Sequence, residues 1–264
     1  MVHDAAIAID LPDGTRTLIL REIEIDRAKK HARADRVCGY SDFVPESGLS
    51  GDRETGAAQS TTECLRRNGI TTVIADRTLP LLYVDEMNAA GITVELDPDM
   101  GVLDRRIKDE EELAYLQHAQ KVTEDVMRVA CEMVANAEAT SEGVLTVEGS
   151  PLTSERLRTM IDSFLLERNF FNPPCIVAGG SDGGDCHELG SGDLYTTQPI
   201  IIDIFPRAEK TGYHGDITRT VVRGCASEAV KAMYASVLKA QEVCMRRIRA
   251  GALLATAHQA VVDH

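Results

Sequence analysis

Residues 199–207, PIIIDIFPR, set one carboxylate, Asp203, inside an apolar run of strand length. Such a run is expected of a strand buried on both faces, where an uncompensated charge is costly. The next strand candidate, GDITRTVVRG (residues 215–224), carries Asp216 near its start, and the Pro and Gly of the segment between them mark a connecting loop. Antiparallel pairing of the two strands would bring the carboxylates face to face, with Cβ atoms about 5 Å apart. Like charges so placed push one pKa up unless a cation lies between them. The residues alone leave two readings: a shared divalent ion, or separate ion pairs with the nearby Arg207 and Arg219.

The remaining chain supplies a scaffold of mixed type. Residues 4–20 read as apolar run, Asp13-Gly14, apolar run, a hairpin signature. A helix over 21–34, a polar loop over 48–60, helices over 61–67 and 80–90 and strands over 70–76 and 92–96 make a small α/β domain. The segment DPDMG (97–101) reads as a turn within a linker, because no Glu closes a twelve-residue calcium loop. Beyond it, Asp109 with Glu112 three residues on forms a capping box. Leu113, Leu116, Ala119, Val122, Val126, Val129 and Met133 then recur at helical steps. A second helix starts at Thr153 and a third at Ser227, the latter with Val230, Met233, Val237, Ala240, Cys244 and Ile248 as its core face and Gly251 as its end. With strands over 175–178, 199–205 and 216–222, the order is α+β. The domain division is 1–103 and 104–264.

Composition removes several function classes. Against 28 Lys and Arg stand 42 Asp and Glu, a net charge of -14 that repels phosphate backbones and anionic lipid, so neither nucleic acid nor membrane is an expected partner. The apolar runs fall far short of the roughly 20 residues of a membrane helix, and the opening MVHDAAIAID lacks a basic leader with an apolar core, so a cytoplasmic location is expected. Seven cysteines without a C-x-x-C pair suit reduced, inert thiols and give no support to a zinc-thiolate site. His187-Glu188 is no H-E-x-x-H motif, since position 191 is Ser, and GGSDGGD (179–185) lacks phosphate-loop spacing. His214, in the loop before Asp216, reads as solvated.

The stretch DIFPRAEKTGYHGDITRTVVRG resembles the strand pair D-I-G-…-G-Y-x-x-D-x-T-R-T-…-G of the M24 metallopeptidases, which include Xaa-Pro aminopeptidases, prolidases and creatinase. The match takes in Asp203, Gly212, Tyr213, Asp216, Thr218, Arg219, Thr220 and Gly224. RRIKDEEELAYLQHAQKV resembles the segment opening that family's catalytic domain. The resemblance implies a pita-bread catalytic domain, here partial, preceded by a small creatinase-type domain. It implies that Asp203 chelates one metal ion, that Asp216 bridges two, and that Thr218 beside Asp216 orients it or its water. His187 stands where the family places a His that contacts substrate, although Cys186 replaces the usual Pro before it.

The implied cofactors are two divalent ions, Mn²⁺ first, with Co²⁺, Zn²⁺ or Fe²⁺ as alternatives, sharing a hydroxide that attacks an X-Pro-like peptide bond. The implied partners are a peptide substrate and a second copy in a homodimer. The family's remaining His and two Glu ligands find no match before His264, and the chain opens in a hairpin that the family reaches after an earlier stretch. Both point to a piece of a longer polypeptide. A catalytically inactive binding module and a metal-independent creatinase-like hydrolase are the alternatives.

Overall fold

In the computed structural model, which describes residues 5–264, Asp13 and Gly14 turn the chain between β1 (Ile7–Asp10) and β2 (Arg16–Leu20). Gly14 takes φ +86°, which its missing Cβ permits. The ion pair between Arg16 Nε and Asp10 Oδ1, 2.6 Å apart, closes the hairpin where the two residues face one another. Asp4, the first residue of the expected hairpin, lies outside the described residues.

After a 3₁₀ turn at Glu22–Glu24, α1 covers only Ile25–His31 of the helix expected over 21–34. It leads into β3 (Arg36–Gly39), parallel to β2. The expected loop over 48–60 is corrected: α2 (Arg53–Arg67) starts inside it. Asp52 caps this helix by accepting the Thr55 N–H at 2.9 Å, and Gly56, Ala57 and Ala58 are buried. Small residues that suggest flexibility in sequence are there because the helix packs tightly. β4 (Thr72–Ala75), α3 (Leu81–Ala89) and β5 (Thr93–Leu96) come next, with β4 and β5 parallel. Ile19, Phe43, Ala58, Leu65, Met87 and Ile92 belong to this unit's core, and the unit ends at Ile107.

The second unit runs from Lys108 to His264. Its first helix, α4 (Glu110–Asn136), begins at the Asp109–Glu112 capping box. Its buried face is Ala119, Val122, Val126, Ala130 and Val134, whereas Leu113 at the head of the expected stripe is exposed. A three-stranded meander succeeds it, β6 (Glu138–Ala139), β7 (Leu145–Val147) and β8 (Ser150–Pro151), and then α5 (Ser154–Leu166). β9 (Phe170–Phe171) pairs with β12 (Arg207–Ala208). The central sheet has the order β10 (Ile176–Gly179), β11 (Ile200–Ile204), β13 (Ile217–Val221), antiparallel throughout.

In β11, Ile200, Ile202 and Ile204 are fully buried, in one core with the apolar face of α4 and with Leu157, Ile161 and Leu165 of α5. Ile201 and Asp203, on the other face, are half-buried. Burial on both faces is the expectation from the apolar run. The alternation corrects it and explains how the strand accommodates an acid.

The chain closes with α6 (Glu228–Met245) and α7 (Leu254–Val262). None of the α6 residues is buried, and Met233 and Val237 are 61% and 69% exposed. The apolar stripe expected to face the core is therefore open. Among the described residues no helix is long and apolar enough to cross a membrane.

Candidate functional site

Helix α4 fixes the segment that leads into β13. The side-chain amide of Gln120 takes both backbone groups of Asp216: Oε1 accepts its N–H at 3.1 Å, and Nε2 donates to its carbonyl at 3.2 Å. Gly215 is buried, and a Cβ there would stand 2.6 Å from the Ala119 carbonyl oxygen, so helix and strand approach more closely than any side chain permits. Tyr213 donates its hydroxyl to Glu112 Oε1 at 2.6 Å, and its ring centroid lies 5.6 Å from that of Tyr115. That bond, with a second from the Asp109 N–H, holds the Glu112 carboxyl below its ordinary range. The same bond, and after it desolvation, pushes the Tyr213 phenol up to about 12.

The register of β11 and β13 pairs Asp203 with Thr218. Carried past Ile204↔Ile217, it sets Asp216 diagonally from Asp203 on the same face, about 7–8 Å away between backbones. The expectation of two carboxylates directly opposite one another is corrected by this two-residue offset. Thr218 is also relocated in effect, since its Oγ1 donates to Asp203 Oδ1 at 2.5 Å and not to Asp216. Arg219 donates to the Thr218 carbonyl at 2.8 Å, and Arg207 lies 5.8 Å from the Phe171 ring. Among the described residues neither aspartate has an ion-pair partner, so the arginine reading of the strand pair is not realised.

His187 is exposed on the loop after a 3₁₀ turn at Gly180–Gly184. The end of this loop is laid along β10: the Val177 N–H donates to the Leu189 carbonyl at 3.0 Å. Gly190, with φ +77°, packs so close that a Cβ would stand 2.7 Å from the Ala178 Cα. Arg158 of α5 secures the same turn, donating to the Gly190 carbonyl at 2.9 Å. The loop thus hangs from the outer strand of the sheet that carries Asp203. Its Asp185, Cys186 and His187 offer ligand atoms within 4.8 Å of one another, the one such group of three among the described residues. Among the described residues Asp203 and Asp216 join no third residue in this way. His214 is exposed, as expected of a loop residue.

A cavity of about 790 Å³ lies in the first unit, bordered by β1 and β4, and holds none of these residues. Gln120 and Gly215 do not stand out in the sequence. The one signal available is a polar side chain and a glycine at positions where helix and strand must meet.

A family model, that of metallopeptidase family M24, matches residues 114–264. Among solved structures, the chain is similar to an Xaa-Pro dipeptidase from Bacillus anthracis, with a TM-score of 0.79 and 17% identity over 100% of this chain and 67% of that one. It is similar to the dipeptidase PepE from Mycobacterium ulcerans, with a TM-score of 0.74 and 19% identity over 98% of this chain and 64% of that one. The X-Pro aminopeptidase from Thermotoga maritima MSB8 gives a TM-score of 0.69 and 20% identity over 95% and 66%. The chain thus spans between 56% and 67% of the length of the solved structures it resembles. No curated protein sequence matches it.

Proposed function

The chain belongs to metallopeptidase family M24, and on that premise we propose that it forms part of a metal-dependent peptidase that removes an N-terminal residue ahead of proline. The observation that carries this reading is the pair Asp203 on β11 and Asp216 just before β13, which the strand register, continued through the Arg207↔His214 bridge, sets on one face with no cationic partner among the described residues. Two carboxylates without a cationic partner suit a divalent ion of the hard or borderline class. The donor set therefore fits the metal the family implies, with Asp203 and Asp216 as two of its ligands. When bound, divalent ions polarise a carbonyl oxygen and lower the pKa of a coordinated water.

The chain's own residues prepare that chemistry. Thr218 occupies one lone pair of Asp203 Oδ1 and so fixes the carboxylate's rotation. Gln120 holds the Asp216 backbone and leaves its carboxylate unencumbered. His187, exposed on the loop that hangs from β10 of the same sheet, is the residue assigned in this proposal to donate to a substrate carbonyl. The first unit is in this reading a creatinase-type domain. A cytoplasmic homodimer completes the proposal.

The test is hydrolysis of X-Pro dipeptides and longer X-Pro peptides by the polypeptide in its full natural length, with added Mn²⁺ or Co²⁺. Asp203→Asn and Asp216→Asn are each expected to reduce kcat/KM by more than about 100-fold and to lower bound metal, since loss of an outer partner alone costs 10–100-fold. Turnover and metal content unchanged in both variants would overturn the assignment. Metal-independent turnover would favour a creatinase-like hydrolase, and no turnover a binding module.

A further inference from the structure

We infer that Asp185, Cys186 and His187 form a second cation site, built from residues other than Asp203 and Asp216 and selective for thiolate-preferring divalent ions of the Zn²⁺ class. Three donor types, carboxylate, thiol and imidazole, come from consecutive residues, and their ligand atoms all lie within 4.8 Å of one another. Cys186 Sγ and His187 Nδ1 are 3.8 Å apart, against about 3.6 Å for the S–N edge of a tetrahedral zinc site built from ordinary bond lengths. Asp185 Oδ1 accepts the His187 N–H at 2.9 Å, which leaves its Oδ2 for an ion.

The surroundings favour a cation. Between Arg168 and Arg207 the chain has no Lys or Arg, while Asp182, Asp185, Glu188 and Asp193 all fall in or beside the loop. Arg158 is the basic residue that reaches it, and its donors are engaged by the carbonyls of Leu189 and Gly190. The loop's end is anchored on β10, so the three ligands sit on a braced turn. A thiolate with an imidazole discriminates against Mg²⁺ and Mn²⁺ and for Zn²⁺, Co²⁺ or Cd²⁺. On binding, the Cys186 thiol gives its proton to solvent and its sulfur lone pair to the ion, with no change of oxidation state. Three protein ligands leave a position for water. If His187 meets substrate as proposed above, an ion held here withdraws it from that task. This consequence rests on the peptidase reading, whereas the binding does not.

The test is titration of the whole chain with Co²⁺, read by near-ultraviolet thiolate-to-cobalt charge-transfer absorption, which needs no turnover. The band is expected in the unmodified chain and in Cys225→Ser, and is expected to vanish in Cys186→Ser. Zn²⁺ should displace it and Mn²⁺ should not. Removing a ligand costs at least what removing an outer partner does, so His187→Ala should weaken Co²⁺ binding more than about tenfold. No band in the unmodified chain, or one that persists in Cys186→Ser with the circular dichroism unchanged, would overturn the inference. A failed titration alongside X-Pro turnover leaves the peptidase reading standing, and a successful one without turnover does the reverse.

Discussion

Glu63 shows how a single buried acid is made tolerable. Its side chain is 6% exposed and accepts from Arg66 Nε at 2.6 Å and Arg67 Nε at 2.7 Å, one turn away on α2. Hydrogen bonding from Arg66 first, and then from Arg67, lowers the carboxyl from 4.5 to about 2. A depressed folded-state pKa contributes stability above pH 4.5 that is lost as pH falls towards 2. Glu63→Gln is expected to destabilise the first unit by about 2 kcal/mol at neutral pH, as for hydrogen bonds to charged groups. That difference should shrink between pH 4.5 and 2, checked by urea unfolding across the range. At this scale the sequence is partly readable. Asp203 stands out because an acid interrupts an isoleucine run, but the Gln120 clamp joins residues 96 apart and has no local signature. The absence of a C-x-x-C pair gives no support to a zinc-thiolate site in sequence, a criterion that does not address a mixed set of neighbouring donors such as Asp185, Cys186 and His187.

Among the elements, strands and caps are legible because their causes are local. Asp13-Gly14 forces a turn, Asp109 and Glu112 satisfy the first amides of α4, and Thr153 and Ser227 cap α5 and α6 as their positions imply. Register is not legible, since a diagonal and a direct pairing of Asp203 with Asp216 differ by two residues and preserve every side chain's face. The α6 stripe misleads for another reason: helical periodicity reports an apolar face but not what covers it. With Val237 69% exposed, Val237→Glu should change stability by less than about 0.5 kcal/mol, the range of ordinary surface substitutions. A melting curve of this chain distinguishes that outcome from the loss of several kcal/mol expected for a buried valine.

The molecule as a whole holds two cores, one in each unit, and the catalytic inference falls entirely on the second. Within that unit, three residues of α4 meet the four residues 213–216: Glu112 holds Tyr213, Ala119 lies against Gly215, and Gln120 holds Asp216. They share a face because they are spaced by seven and eight residues, two helical turns. Such an arrangement tolerates substitution on the helix's outer side and is intolerant of a change in length. One residue inserted between Glu112 and Ala119 would rotate the N-terminal part of the helix by about 100° relative to the C-terminal part, so the Tyr213 and Asp216 contacts would no longer coexist. Insertion of one alanine after Leu116 is therefore expected to lower the unit's melting temperature by more than Leu116→Ala does, and equal melting temperatures would refute it. Natural variation along this helix should accordingly consist of exchanges of residues, with gaps and additions confined to the loops beyond its ends.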